Sequence, residues 1–98
     1  MSKKEGDFQT RLIGKIKTMF PESMVLKNDP TYIQGIPDLL IIHNNKWAAL
    51  ECKKSADAPA RPNQPYYVNK MNDMSYASFV YPENESEVLN ELQSALQP

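Results

Sequence analysis

Two apolar runs, Leu39-Leu40-Ile41-Ile42 and Trp47-Ala48-Ala49-Leu50, stand only four residues apart. The link between them is His43-Asn44-Asn45-Lys46. Asparagine tolerates the positive φ that a tight hairpin turn needs. The pattern therefore predicts a strand over 38–43, a turn at Asn44-Asn45 and a return strand over 46–53. Both faces of each strand are largely apolar, which predicts a place in the middle of a covered sheet.

The flanking segments complete one α/β domain spanning residues 1–98, a length suited to a single modest core. Phe8, Leu12, Ile13, Ile16, Met19 and Phe20 recur at helical spacing and predict a helix over 3–19, ended by Pro21. A short strand follows over 24–27, then a polar loop, Asn28-Asp29-Pro30-Thr31. Residues 54–63 have loop composition. Asn63 is positioned to cap a helix to about residue 72, with Pro65 tolerated in its first turn. Residues 77–81 read as a strand. Asn84-x-x-Glu87 has the form of a capping box opening a last helix with Val88, Leu89, Leu92 and Leu96 on one side. The expected order is α-β-β-β-α-β-α.

With a two-residue turn, His43 pairs with Lys46, and counting outward brings Asp38 opposite Glu51 and Ile36 opposite Lys53. Side chains alternate faces, so Asp38, Glu51 and Lys53 share one. Directly opposed Cβ atoms lie roughly 4.5–5.5 Å apart. Two carboxylates side by side repel, and apolar surroundings make the repulsion expensive. A cation between them relieves it. Mg²⁺ suits, with Mn²⁺ as a substitute, because hard cations choose carboxylate oxygens and water. Such a site can activate water and neutralise a phosphate, with Lys53 offsetting charge on the phosphorus oxygens. The plain alternative is a salt-bridged trio at a sheet edge; the apolar context favours the site.

Gly35-Ile36-Pro37-Asp38 stands ahead of Glu51-Cys52-Lys53, with thirteen positions from Asp38 to Glu51. This pattern resembles the PD-(D/E)XK nuclease motif, and the element order resembles that fold's core. Within that superfamily the chain is most similar to VRR-NUC domains, which occur alone in phages. The resemblance covers nearly the whole chain. It implies a restriction-endonuclease-like core, αβββαβ with a mixed central sheet flanked by helices, plus a C-terminal helix. It also implies Mg²⁺-dependent hydrolysis of DNA phosphodiesters, and stand-alone members are associated with homodimers and branched DNA such as four-way junctions. Gln64, opening the next helix, would orient the attacking water; its bland alternative is a polar first-turn residue. The backbone carbonyl of Cys52 would reach the metal. A RecB-type pairing would want tyrosine where this chain has Val68, which weakens that assignment.

Glu5 lies on the apolar stripe of the first helix, where the resemblance places a further acidic ligand; Ser2-x-x-Glu5 is also a capping box, and the resemblance puts the ligand role slightly ahead. Lys4, Arg11, Lys27, Lys54 and Arg61 are candidate DNA contacts, with Lys54 and Arg61 flanking the site. Tyr76, Phe79 and Tyr81 are candidate dimer residues.

Net charge is −1, which counts mildly against gripping long duplexes by phosphate neutralisation, although acidic ligands offset a basic patch. The single Cys52 excludes an intrachain disulfide, and Cys52 with the single His43 excludes a zinc site of the usual kind. No run is long enough to span a bilayer, and no apolar stretch follows Lys3-Lys4, so no membrane partner and a cytoplasmic location are expected. The leading function is a structure-selective DNA endonuclease. Alternatives are a nicking or single-strand nuclease, a catalytically inactive nucleic-acid-binding or host-modulating module of the same fold, and a plain interaction domain.

Overall fold

The computed structural model describes residues 2–97. Helix α1 (Lys3–Met19) starts where the Ser2 hydroxyl accepts from the Glu5 N–H at 3.1 Å. It buries Phe8, Gln9, Leu12 and Ile16, and stops before Pro21. Strand β1 (Met24–Lys27) follows, then β2 (Leu39–His43) and β3 (Lys46–Cys52). Helix α2 (Asn63–Met74), strand β4 (Tyr76–Val80) and helix α3 (Glu85–Leu96) complete the expected order.

The sheet has four strands in the order β1-β2-β3-β4. The first three are antiparallel, and β4 joins β3 in parallel, so the sheet is mixed with the hairpin at its centre. The register is the predicted one, from His43–Lys46 to Leu39–Leu50. Asn44 takes φ 58°, the left-handed conformation the tight turn requires.

The pleat sorts the core. Leu39, Ile41, Ala48, Leu50, Cys52 and Val80 pack with buried residues of α1 and α3. Ala49 and Ala77 pack with Val68 of α2, joined by Trp47, Met71 and Phe79. Helices α1 and α3 therefore cover one face, and α2 covers β3 and β4 on the other. This second face is open over β1 and β2: Met24 is 57% and Leu26 39% exposed, while Leu40 and Ile42 are half-buried. Only one face of the hairpin is fully covered, where both were expected to be. A 12-residue α2 is too short and too far over β3–β4 to roof the whole sheet.

Asn84 takes the cap position of α3 as expected and Asn63 does not take that of α2, but neither makes a capping hydrogen bond. Pro62 occupies the cap position of α2, and Asn63 is the first helical residue. Asn63 is instead packed against Gly35, whose φ is +89°. A Cβ at Gly35 would sit 2.4 Å from the Asn63 Cβ, so only glycine permits both this backbone and this approach. Asn84 does precede α3 but makes no cap hydrogen bond. Its Oδ1 accepts from the Tyr81 N–H at 2.8 Å and its Nδ2 donates to the Phe79 carbonyl at 3.1 Å, tying the turn to β4. No helix among the described residues is long and apolar enough to cross a membrane.

Candidate active site

Pro37 shapes one wall of the site. It has no N–H to give a ladder, and β2 begins two residues later at Leu39. Asp38 thus stands one step outside the β2–β3 pairing. Ile36 is not opposite Lys53 as the extrapolated hairpin predicts; its N–H closes a turn onto the Ile33 carbonyl at 3.3 Å. The Lys53 N–H continues the parallel β3–β4 pairing, donating to the Val80 carbonyl at 2.8 Å. Asn28 holds the incoming segment: its Nδ2 donates to the Pro37 carbonyl at 2.8 Å and its N–H to the Asp38 carbonyl at 2.9 Å.

Asp38 and Glu51 nevertheless meet. One oxygen of Asp38, Oδ2, accepts from the Cys52 N–H at 2.9 Å. Its carboxylate stands close enough to that of Glu51 for the two charges to act on each other strongly. Glu51 is only 2% exposed, and its Oε1 has no hydrogen-bond donor. Burial, then the nearby Asp38 carboxylate, push Glu51 up to about 9; Lys53 opposes this, and Glu5 adds to it slightly. A buried carboxylate beside another carboxylate holds its proton because both forces penalise the charged form.

Gln64 joins the pair to Lys53. Its Nε2 donates to Glu51 Oε2 at 3.1 Å, and its Oε1 accepts from Lys53 Nζ at 2.6 Å and from the Arg61 N–H at 2.8 Å. A lysine ammonium only donates and a carboxylate only accepts, so this amide orientation is the one that satisfies both ends. Lys53 is 7% exposed. Its Nζ also donates to the Pro59 carbonyl at 3.1 Å and lies 5.9 Å from the centre of the Phe79 ring. The loop after β3 therefore folds back over the ammonium. Asn28, Pro59 and Phe79 are not expected at the site, Phe79 having been a candidate dimer residue; none belongs to a motif, and each is brought in by loop closure or by the β4 pairing.

The remaining residues divide. Cys52 faces the opposite core, where burial, Asp38 and Glu51 push its thiol well up and a hydrogen bond with Gln9 partly offsets them. A thiol held protonated is a packing group, not a nucleophile. Glu5 is half-buried on α1, one turn before Gln9, and contributes charge to both Cys52 and Glu51. It does not complete a three-residue ligand group with Asp38 and Glu51. Among the described residues no three His, Cys, Asp or Glu side chains form a group able to hold a metal ion.

Lys4, Arg11, Lys27, Lys54 and Arg61 are all exposed. Of these, the Arg61 backbone bonds Gln64 and Lys54 follows Lys53, while Lys27 pairs with Leu39, on the sheet face opposite Glu51. Arg11 instead lines a groove with Leu89 between α1 and α3, on the far side of the sheet. Of the expected dimer residues, Tyr76 packs against the α1–α3 core and its hydroxyl donates to Glu91 at 2.6 Å. Phe79 packs under α2. The free apolar surface lies over β1 and β2 instead. Comparison with family models, with curated proteins and with solved structures gives no match to this chain.

Proposed function

We propose that this chain is a divalent-metal-dependent DNA endonuclease that hydrolyses phosphodiester bonds at Asp38, Glu51, Lys53 and Gln64. The observation that carries this reading is the buried Glu51 beside the half-buried Asp38, with one Glu51 oxygen orphaned. A purely structural pair would cost stability without return, since a buried polar atom without a partner is unfavourable by about 1–3 kcal/mol.

The residues fit Mg²⁺ better than a cation needing a full protein cage. Mg²⁺ commonly takes one or two carboxylates and keeps several waters. Asp38 and Glu51 would supply the carboxylates and the Cys52 carbonyl a neutral oxygen. Glu5 is close enough to add charge but stands outside that pair. The cation, Mg²⁺ or Mn²⁺, supplies neutralisation of phosphate charge and a more acidic water. Lys53 offers positive charge to the phosphate oxygens as the bond to the leaving group breaks. Gln64 fixes the spacing of Glu51 and Lys53, and its second N–H is free to orient water. Lys54 and Arg61 hold the flanking backbone.

Branched DNA is the preferred substrate in this reading, cut by a homodimer. Resolving a branch takes two cuts, and twofold symmetry supplies the second centre from the same surface. The open sheet face bearing Met24, Leu26, Leu40, Ile42 and Met74 is the surface suited to that contact.

The test presents linear duplex, single strand, flap and four-way junction with Mg²⁺, Mn²⁺ or EDTA. Cleavage that needs the metal and is abolished by Asp38→Asn and by Glu51→Gln supports the proposal. Binding without cleavage under every condition replaces it with the inactive nucleic-acid-binding module.

A further inference from the structure

The two edges of the sheet are finished differently. At β4 the Val80 carbonyl turns inward to the Lys53 N–H, so Ala77, Phe79 and Tyr81 turn their backbone groups outward. Side chains occupy that edge. Asn72 Oδ1 accepts from the Ala77 N–H at 3.0 Å, and Asn84 Oδ1 from the Tyr81 N–H at 2.8 Å. The Phe79 carbonyl accepts from Asn84 Nδ2 and from the Ser78 hydroxyl. Such a guarded edge offers another strand little to pair with.

The β1 edge is bare. The Asn28 N–H donates to the Asp38 carbonyl, in step with the β1–β2 register. Met24 and Leu26 therefore turn their backbone groups to β2, and Val25 and Lys27 turn theirs away. Among the described residues no hydrogen bond reaches these outward groups. Met24 and Leu26 stand on the open face beside Ile42 and Leu40, and Val25 stands beside Ile41 against the α1–α3 core.

We infer that β1 pairs antiparallel with β1 of a second copy about a twofold axis at Val25, joining two four-stranded sheets into one of eight. Complementarity selects this partner and this register. Leu26 falls opposite Met24 of the second copy, so the open face carries an unbroken apolar row from Leu40 through Leu26 and the second copy's Met24 to its Ile42. The twofold repeats that row, and on the other face Val25 meets Val25. Sliding the copies by two residues sets Met24 against Asn28 or Leu26 against Glu22, and breaks the rows. Charge agrees with the antiparallel sense. Lys27 ends the strand and Glu22 precedes it, so unlike ends come together. A lysine that discourages edge pairing in general is thereby matched. Each copy has one bare edge, so assembly closes at two. The pairing rests on the nuclease reading for its purpose alone: it sets the two Asp38 segments at opposite ends of the joined strands, roughly 25 Å apart by strand rise and spacing, as two separate cuts require.

The test is the mass of the full chain by light scattering across a concentration series, without DNA. Wild type should pass from monomer to dimer and stop there. Lys27→Pro removes an outward N–H and leaves the β1–β2 ladder intact. It should raise the dimer dissociation constant by about tenfold or more, the scale of one lost hydrogen bond per copy. Lys27→Ala removes the charge but keeps the N–H, and should stay close to wild type. Thermal melting of both checks that the fold is intact. An equal mixture of Met24→Cys and Leu26→Cys chains should form a disulfide-linked dimer faster than either chain alone, because directly opposed residues come within disulfide reach; Cys52 is buried and does not compete. A chain monomeric at every concentration, a Lys27→Pro dimer as tight as the Lys27→Ala dimer, or a mixture that cross-links no faster overturns the inference. If that chain still cleaves DNA with Mg²⁺, the nuclease reading survives alone. A dimer with the expected variant and cross-linking pattern that cleaves no DNA supports the pairing and overturns the nuclease reading.

Discussion

Gln64 donates to Glu51 from one end of its amide and accepts from Lys53 at the other, so the acid and the ammonium are spaced by one side chain. The two charged groups make no direct ion pair. This keeps Lys53 from closing a direct ion pair with Glu51, which keeps its proton beside Asp38.

Gln64→Ala removes the spacer. Supporting groups of this kind typically carry about 10–100-fold in metal affinity or activity. Cleavage should fall on that scale, with the loss concentrated in the Mg²⁺ concentration required. Titration of activity against Mg²⁺ checks it; an unchanged midpoint and rate would reduce Gln64 to a first-turn residue.

Gly35→Ala should damage the site through the backbone. The new Cβ would meet Asn63 at 2.4 Å, and its φ of +89° is strained for any side chain. Backbone strain alone costs about 1–3 kcal/mol, which in a domain of this size lowers Tm by at least about 5 °C. The Asp38 segment and α2 should also separate, so cleavage should be lost at temperatures where circular dichroism still reports a folded chain.

Much of this was legible in the chain because a tight turn leaves little freedom. Once Asn44-Asn45 is the turn, pairing fixes which side chains share a face, and Asp38, Glu51 and Lys53 come together. The same counting failed one step further out. Pro37 cannot continue the ladder, so Ile36 turns away and Lys53 pairs with β4 instead. Asn63 and Asn84 both look like caps because local sequence favours that use; Asn63 packs against the distant Gly35 instead, and Asn84 holds the cap position but turns its side chain back to Phe79 and Tyr81. The uncovered half of the sheet was hidden for another reason. An apolar strand face reads the same whether a helix of this chain covers it or nothing does.

Glu51 gives the fold a pH dependence with a definite sign. Its folded value of about 9 lies above the usual 4.5. The folded state therefore holds a proton that the unfolded state releases, and stability falls as pH rises from about 4.5 to about 9. In EDTA, Glu51→Gln should flatten this slope. It should raise Tm at pH 8 while changing it little below the usual carboxylate range. Mg²⁺ should raise the wild-type Tm at pH 8 and leave the variant behind, since it stabilises the charged form. A wild-type Tm that is flat across this range in EDTA would mean that Glu51 is not buried against Asp38.

Glu5 separates three roles. As a cap partner it works locally, and its loss costs about 0.5–2 kcal/mol without touching catalysis. As a direct ligand its loss removes activity by orders of magnitude with little change in Tm. As a neighbouring charge it raises the Glu51 carboxyl, so its loss makes Glu51 easier to ionise. The cap that forms uses the Ser2 hydroxyl and the Glu5 backbone N–H, neither of which needs the carboxylate. The carboxylate sits on the buried stripe beside Gln9 but outside any three-residue ligand group. The third role is therefore the expected one. Glu5→Gln should leave Tm near wild type, retain cleavage at saturating Mg²⁺ and shift the rising limb of the cleavage–pH profile toward lower pH. A profile that keeps its position while activity disappears would make Glu5 a ligand, and a profile and rate both unchanged would leave it as a surface charge at the start of α1.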